Sequence, residues 1–195
     1  MKKRVLVHPR KVKWIMEDFI NQIHNLTYEC LPPADHEETL EEFFDKFYNS
    51  NSWVEEKAEC KLVKTKKGFG AFINDKGTHT FRIGYNIDEL FSKGSKQFAN
   101  NFYKQCPGGR GFASVTLALL HELGHFYTCD FDFGEYNREE EIAWIESLPR
   151  DMTNLFYFLL PDEEAATNWA IEWLSNKENR KIAKAFEKQF FACFE

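Results

Sequence analysis

Residues 121–125 read His121-Glu122-Leu123-Gly124-His125, and they stand in an apolar run that includes Ala113, Val115, Leu117, Ala118, Leu119, Leu120 and Leu123. The run predicts a buried helix over residues 112–128. On a helix, side chains four residues apart lie one turn above each other on the same face, so the imidazoles of His121 and His125 can converge on one ion. Glu122 sits one step round, near the ion without competing for it, where it can accept a proton from a water. Burying two imidazoles and a carboxyl without partners is costly, and a bound metal removes that cost. The expected ion is Zn2+, with His121 and His125 as ligands and Glu122 as a general base.

A catalytic zinc needs a third protein ligand and an open fourth position. The pattern that adds a third histidine six residues after His125 fails, because Thr128 and Phe131 occupy its diagnostic places. Three acidic alternatives remain. Asp130 and Asp132 follow His125 by five and seven residues. Glu139, Glu140 and Glu141 are consecutive and also read as a solvated helix face. Downstream, Glu163 and Glu164 open a helix in which Ala166, Ala170 and Trp173 share an apolar face, so an acid of its first turn can point into the core. One of the two can equally serve the helix dipole.

Working outward, the 195 residues suffice for one well-buried domain. With 43% hydrophobic and 29% charged residues the composition is that of a globular chain. The 20 Phe predict an aromatic core. A net charge of −6 argues against phosphate neutralisation as the main work, so no direct nucleic-acid binding is expected. Lys2, Lys3, Arg4, Arg10, Lys11 and Lys13 read as a solvated end. Five Cys without a Cys-x-x-Cys pair read as reduced thiols. The apolar stretch Val5-Leu6-Val7 is too short for a signal peptide, and no run approaches a membrane helix. A cytoplasmic location is expected.

Residues 1–52 read as a helical N-terminal region that does not fold alone. Pro9 opens a helix whose Val12, Ile15, Met16, Phe19, Ile23 and Leu26 share a face. Asp35 and Glu38 cap a second, carrying Leu40, Phe43, Phe44, Phe47 and Tyr48. Residues 53–87 read as strands: an early one at 60–65, then a hairpin of 69–73 and 78–85 around Asn74-Asp75-Lys76-Gly77. Residues 88–195 read as helical, beginning near Asp88 and continuing after Gly111 in four stretches at 112–128, 135–147, 162–175 and 176–194. Early strands and late helices predict a single α+β domain with a small, mostly antiparallel sheet. The strand at 78–85 is the expected edge for an extended substrate.

These motifs taken together resemble the ImmA/IrrE-type metallopeptidases, zincins of gluzincin-like type. The resemblance rests on Gly68-Phe69-Gly70-Ala71-Phe72-Ile73, Phe81-Arg82-Ile83-Gly84-Tyr85-Asn86, the stretch from Arg110 through Leu119-Leu120-His121-Glu122-Leu123-Gly124-His125, and Glu163, Ala166, Thr167, Trp169, Ala170 and Leu174. It covers about residues 69–174. It implies a zincin-like fold and assigns Glu163 as the third zinc ligand, with Trp169-Ala170 in place of the family's Phe-Ala. Thr167 departs from the usual Asn or Asp, and a register shifted by one would use Glu164, four residues before Asn168.

The implied activity is zinc-dependent hydrolysis of peptide bonds in an intracellular protein, by resemblance a DNA-bound repressor. Tyr127, Tyr136, Tyr157, His79 and Arg110 have the chemistry to stabilise an oxyanion. Two other classes compete. One is a catalytically silent zincin-fold binding or regulatory module, associated with toxin–antitoxin systems or phage and mobile elements. The other is a metal-dependent hydrolase of a different small substrate.

Overall fold

Pro9 opens helix α1 (Pro9–Glu29), where its fixed φ suits the first turn and its missing N–H is not needed. Val12, Ile15, Met16, Phe19, Ile20 and Ile23 recur at helical spacing and are all buried. The structure, a computed structural model, describes residues 9–29, 61–64, 70–74, 80–87, 96, 98–100, 102, 111–128 and 136–194. The helix expected at 35–48, the helix start near Asp88, and Asp130, Asp132, His79 and Arg110 lie outside the described residues.

Among the described residues three strands form one sheet: β1 (Lys61–Lys64), β2 (Gly70–Asn74) and β3 (Thr80–Tyr85), in the order β1-β3-β2. The expected hairpin is present, with β2 antiparallel to β3 and Ala71 opposite Ile83. The expected mostly antiparallel sheet needs correction, because β1 pairs parallel with β3 and places Leu62 opposite Ile83. Alternation tells which face of a strand is buried, but carries no information on which neighbour it takes or in which direction. The same topology corrects the substrate edge. β3 lies between β1 and β2 with both of its sides paired, so an added strand has only β1 or β2 to meet among the described residues. Leu62, Ile83 and Tyr85 are buried in the same core as α1.

Among the described residues, five helices and not four follow Gly111: α2 (Ser114–Tyr127), α3 (Arg138–Glu146), α4 (Arg150–Tyr157), α5 (Pro161–Ser175) and α6 (Lys177–Phe191), closed by a 3-10 turn at Ala192–Phe194. The architecture is mostly helical α+β. The unexpected element is α4, which Pro149 separates from α3 by standing at its N-cap. α3 begins late because the Asn137 side chain accepts the N–H groups of Glu139 and Glu140 at 3.2 and 3.4 Å and caps it there. Among the described residues no helix is long and apolar enough to cross a membrane.

α2 is the central helix. From Val115 to Gly124 every residue is buried, as are Phe126 and Tyr127. Its N-cap, Ala113, offers no side-chain acceptor. A residue of α6 does that work instead: the Glu187 carboxylate accepts the Ala113 N–H and the Thr116 hydroxyl, the latter at 2.8 Å. An anion at this end also opposes the helix dipole. α1 is tied to the same unit through Phe19, whose ring stacks on Phe186 at 4.3 Å and meets Trp173 edge-on at 6.1 Å.

Candidate metal centre

α2 and α5 cross closely because small residues meet at the crossing. A Cβ on Gly124 would lie 2.2 Å from the Ala166 carbonyl oxygen and 2.8 Å from its Cα. Glycine is required here for space, in the middle of a helix where it otherwise costs about 1 kcal/mol relative to alanine. The reason for that cost becomes visible one turn away. With the backbones in contact, Glu163 on the first turn of α5 reaches the two histidines of α2.

Glu163 Oε2 stands 3.0 Å from His121 Nε2 and 3.4 Å from His125 Nε2. The three residues offer ligand atoms that all lie within 4.8 Å of one another. The His121 and Glu163 side chains are only 4% and 3% exposed, whereas that of His125 is 17% exposed and marks the open side. Glu122, on the same turn of α2, is buried as well. His121 Nδ1 lies 3.2 Å from the Thr167 hydroxyl. Ligation of a metal through Nε2 would call for the tautomer that donates Nδ1–H to Thr167, whereas without a metal an Nε2–H faces Glu163 Oε2. Phe98 and Phe158 wall this side, with ring centres 5.6 and 6.1 Å from that of His121.

Two imidazole nitrogens and one carboxylate oxygen are a donor set that suits Zn2+. The second carboxylate oxygen is already engaged. Arg138, the first residue of α3, donates from Nη2 to Glu163 Oε1 at 2.9 Å and to the Tyr157 hydroxyl at 3.1 Å. Its Nη1 pairs with Asp162, which also accepts the Tyr136 hydroxyl at 2.8 Å. Burial alone would push the Glu163 carboxyl up, but hydrogen bonds from His121 and His125 hold it well below the usual carboxylate range. Burial, reinforced by the charge of Glu163, pushes the Tyr157 phenol up, so it stays protonated.

His121, His125 and Glu163 thus come together on two crossing helices, with Glu122 buried on the same turn of α2. Glu164, one position on, is exposed, as are Glu139, Glu140 and Glu141. Of the oxyanion candidates, Tyr127 is turned away: its hydroxyl bonds His24 of α1 and its ring stacks on Trp169 at 4.7 Å. Tyr136 serves Asp162, and Tyr157 adjoins Glu163. Arg138 and Asp162 are the site residues that sequence reasoning missed. Before three glutamates, Arg138 reads as one more charge on a solvated helix, and only its position beside α5 sets it apart. No protein-family model, curated protein or solved structure matches the chain.

Proposed function

We propose that this chain is a zinc-dependent metallopeptidase of the ImmA/IrrE type, cleaving a peptide bond in a protein or peptide substrate. The observation that carries this reading is the meeting of His121 Nε2, His125 Nε2 and Glu163 Oε2 around one point, with Glu122 on the same turn. His121, His125 and Glu163 hold the ion, which when bound acidifies water and polarises a carbonyl. Glu122 accepts the proton of the attacking water and passes it to the leaving amine nitrogen. Thr167 keeps the His121 ring in its tautomer, and Phe98 and Phe158 keep bulk water from that flank. Of the described oxyanion candidates, Tyr157 is the one whose hydroxyl adjoins the Arg138–Glu163 pair, accepting Arg138 Nη2 at 3.1 Å.

An intact Glu122 favours an enzyme over a silent binding module, because a purely structural site has no use for a base. The experiment is metal analysis beside peptide cleavage. About 1 equivalent of zinc per chain is expected in the wild type and in Glu122→Gln, and none in His121→Ala or His125→Ala. Cleavage of a diverse peptide library is expected from the wild type alone. Zinc binding without any Glu122-dependent cleavage would favour the regulatory-module reading. A chain that cannot be loaded with zinc ends both.

A further inference from the structure

We propose that Arg138 is a positioning residue that restricts Glu163 to one-oxygen ligation of the metal, an inference that rests on the metal centre proposed above. Glu163 presents its two oxygens to different partners. Oε2 faces the Nε2 atoms of His121 and His125 at 3.0 and 3.4 Å, and Oε1 accepts Arg138 Nη2 at 2.9 Å. The two hydrogens of that nitrogen are both placed, one on Glu163 and the other on the Tyr157 hydroxyl at 3.1 Å. Nη1 pairs with Asp162, the residue before Glu163 on the first turn of α5. One guanidinium thus joins the start of α3, the end of α4 and the start of α5.

The consequence is coordination number. A carboxylate with both oxygens free can take a divalent ion through both, filling a position that water or a substrate carbonyl needs. Engaging Oε1 in a charge-assisted bond removes that option and fixes the plane of the carboxylate. The planar guanidinium directs two hydrogen bonds from one nitrogen to Glu163 and Tyr157 while its other end keeps an ion pair with Asp162, an arrangement that a lysine ammonium cannot reproduce. Partners of this kind, one bond removed from the ion, typically alter metal affinity by about 10–100-fold.

The test uses the full chain loaded with Co2+ in place of zinc, because the visible absorption of Co2+ weakens as its coordination number rises above four. Zinc affinity is measured in parallel by competition with a chromophoric chelator. Arg138→Met keeps the apolar stem and frees Oε1. It is expected to bind zinc at least about tenfold more weakly and to give a weaker Co2+ spectrum than the wild type. If Arg138→Met fails to fold by circular dichroism, Arg138→Gln decides by the same readouts. A folded variant whose affinity falls but whose Co2+ spectrum is unchanged overturns the proposal, leaving Arg138 a merely structural residue. An unchanged affinity and spectrum overturns it too. Failure of the wild type to bind either ion overturns the metal centre itself, an outcome distinct from unchanged variant spectra.

Discussion

Gly124 lies directly beneath Ala166: the hydrogen that stands where other residues carry a Cβ faces the Ala166 carbonyl, so α2 and α5 touch backbone to backbone. This contact sets the distance between the histidines of one helix and the glutamate of the other.

Replacing Gly124 by Ala therefore has to move one helix, since the obstructing atoms are backbone and cannot rotate away. The expected result is a destabilisation of about 1–3 kcal/mol, outweighing the helix propensity that alanine brings. Zinc affinity falls as well, because Glu163 moves with α5. Urea denaturation of metal-free protein and chelator competition measure the two effects separately. A Gly124→Ala chain more stable than wild type would contradict the contact.

Glu163 and Glu164 separate cleanly, one 3% exposed and facing the histidines, the other on the surface. Neighbouring helical residues point about 100° apart, so only one can face inward. Glu163→Ala is expected to abolish tight zinc binding. Glu164→Ala is expected to cost no more than a dipole contribution of about 0.3–1 kcal/mol and to keep the metal. Metal content after dialysis, together with thermal melts, distinguishes them, and the reverse outcome would shift the register by one.

His24 makes stability depend on pH. Burial pushes its pKa down from 6.5 to about 4, and its Nδ1 shares a hydrogen bond with the Tyr127 hydroxyl. Between these values the unfolded chain binds a proton that the folded chain refuses, so this contribution is complete above pH 6.5 and is lost as pH falls toward 4. Its size is about 2–3 kcal/mol between pH 7 and 4.5. His24→Gln removes it, so in chelator the stability difference between those pH values should shrink by that amount. Parallel pH dependences for the two proteins would refute the assignment.

Glu187 caps the helix that carries the histidines. Glu187→Ala leaves the Ala113 N–H and the Thr116 hydroxyl without this acceptor, at an expected cost of about 1–3 kcal/mol. Glu187→Gln keeps an acceptor and should lose less. Chemical denaturation of both ranks them, and equal losses would mean that charge, not hydrogen bonding, is what Glu187 contributes.

Much of this was legible in the chain. The buried face of α1, the apolar helix around residues 121–125 and the β2–β3 hairpin follow from local periodicity, which each segment carries in itself. Expectation failed where the deciding interaction was distant. The parallel β1–β3 pairing and the central place of β3 depend on neighbours that a strand's alternation cannot name, whereas α4, set off locally by Pro149, is too short at eight residues to show a periodicity of its own.

The same division runs through the site. The i, i+4 spacing by itself determined that His121 and His125 share a face, because the helical repeat dictates it, and adjacency determined that Glu122 accompanies them. Between Glu163 and Glu164 spacing left both open, and the close crossing at Gly124 and Ala166 decides for Glu163 by burying it beside the imidazoles. Arg138, reading as a surface charge, became a partner of Glu163 only when the fold brought the start of α3 beside the start of α5. Helical faces are set by bonds within one segment, whereas the choice of partner between segments is made by packing, and packing exists only in the folded chain.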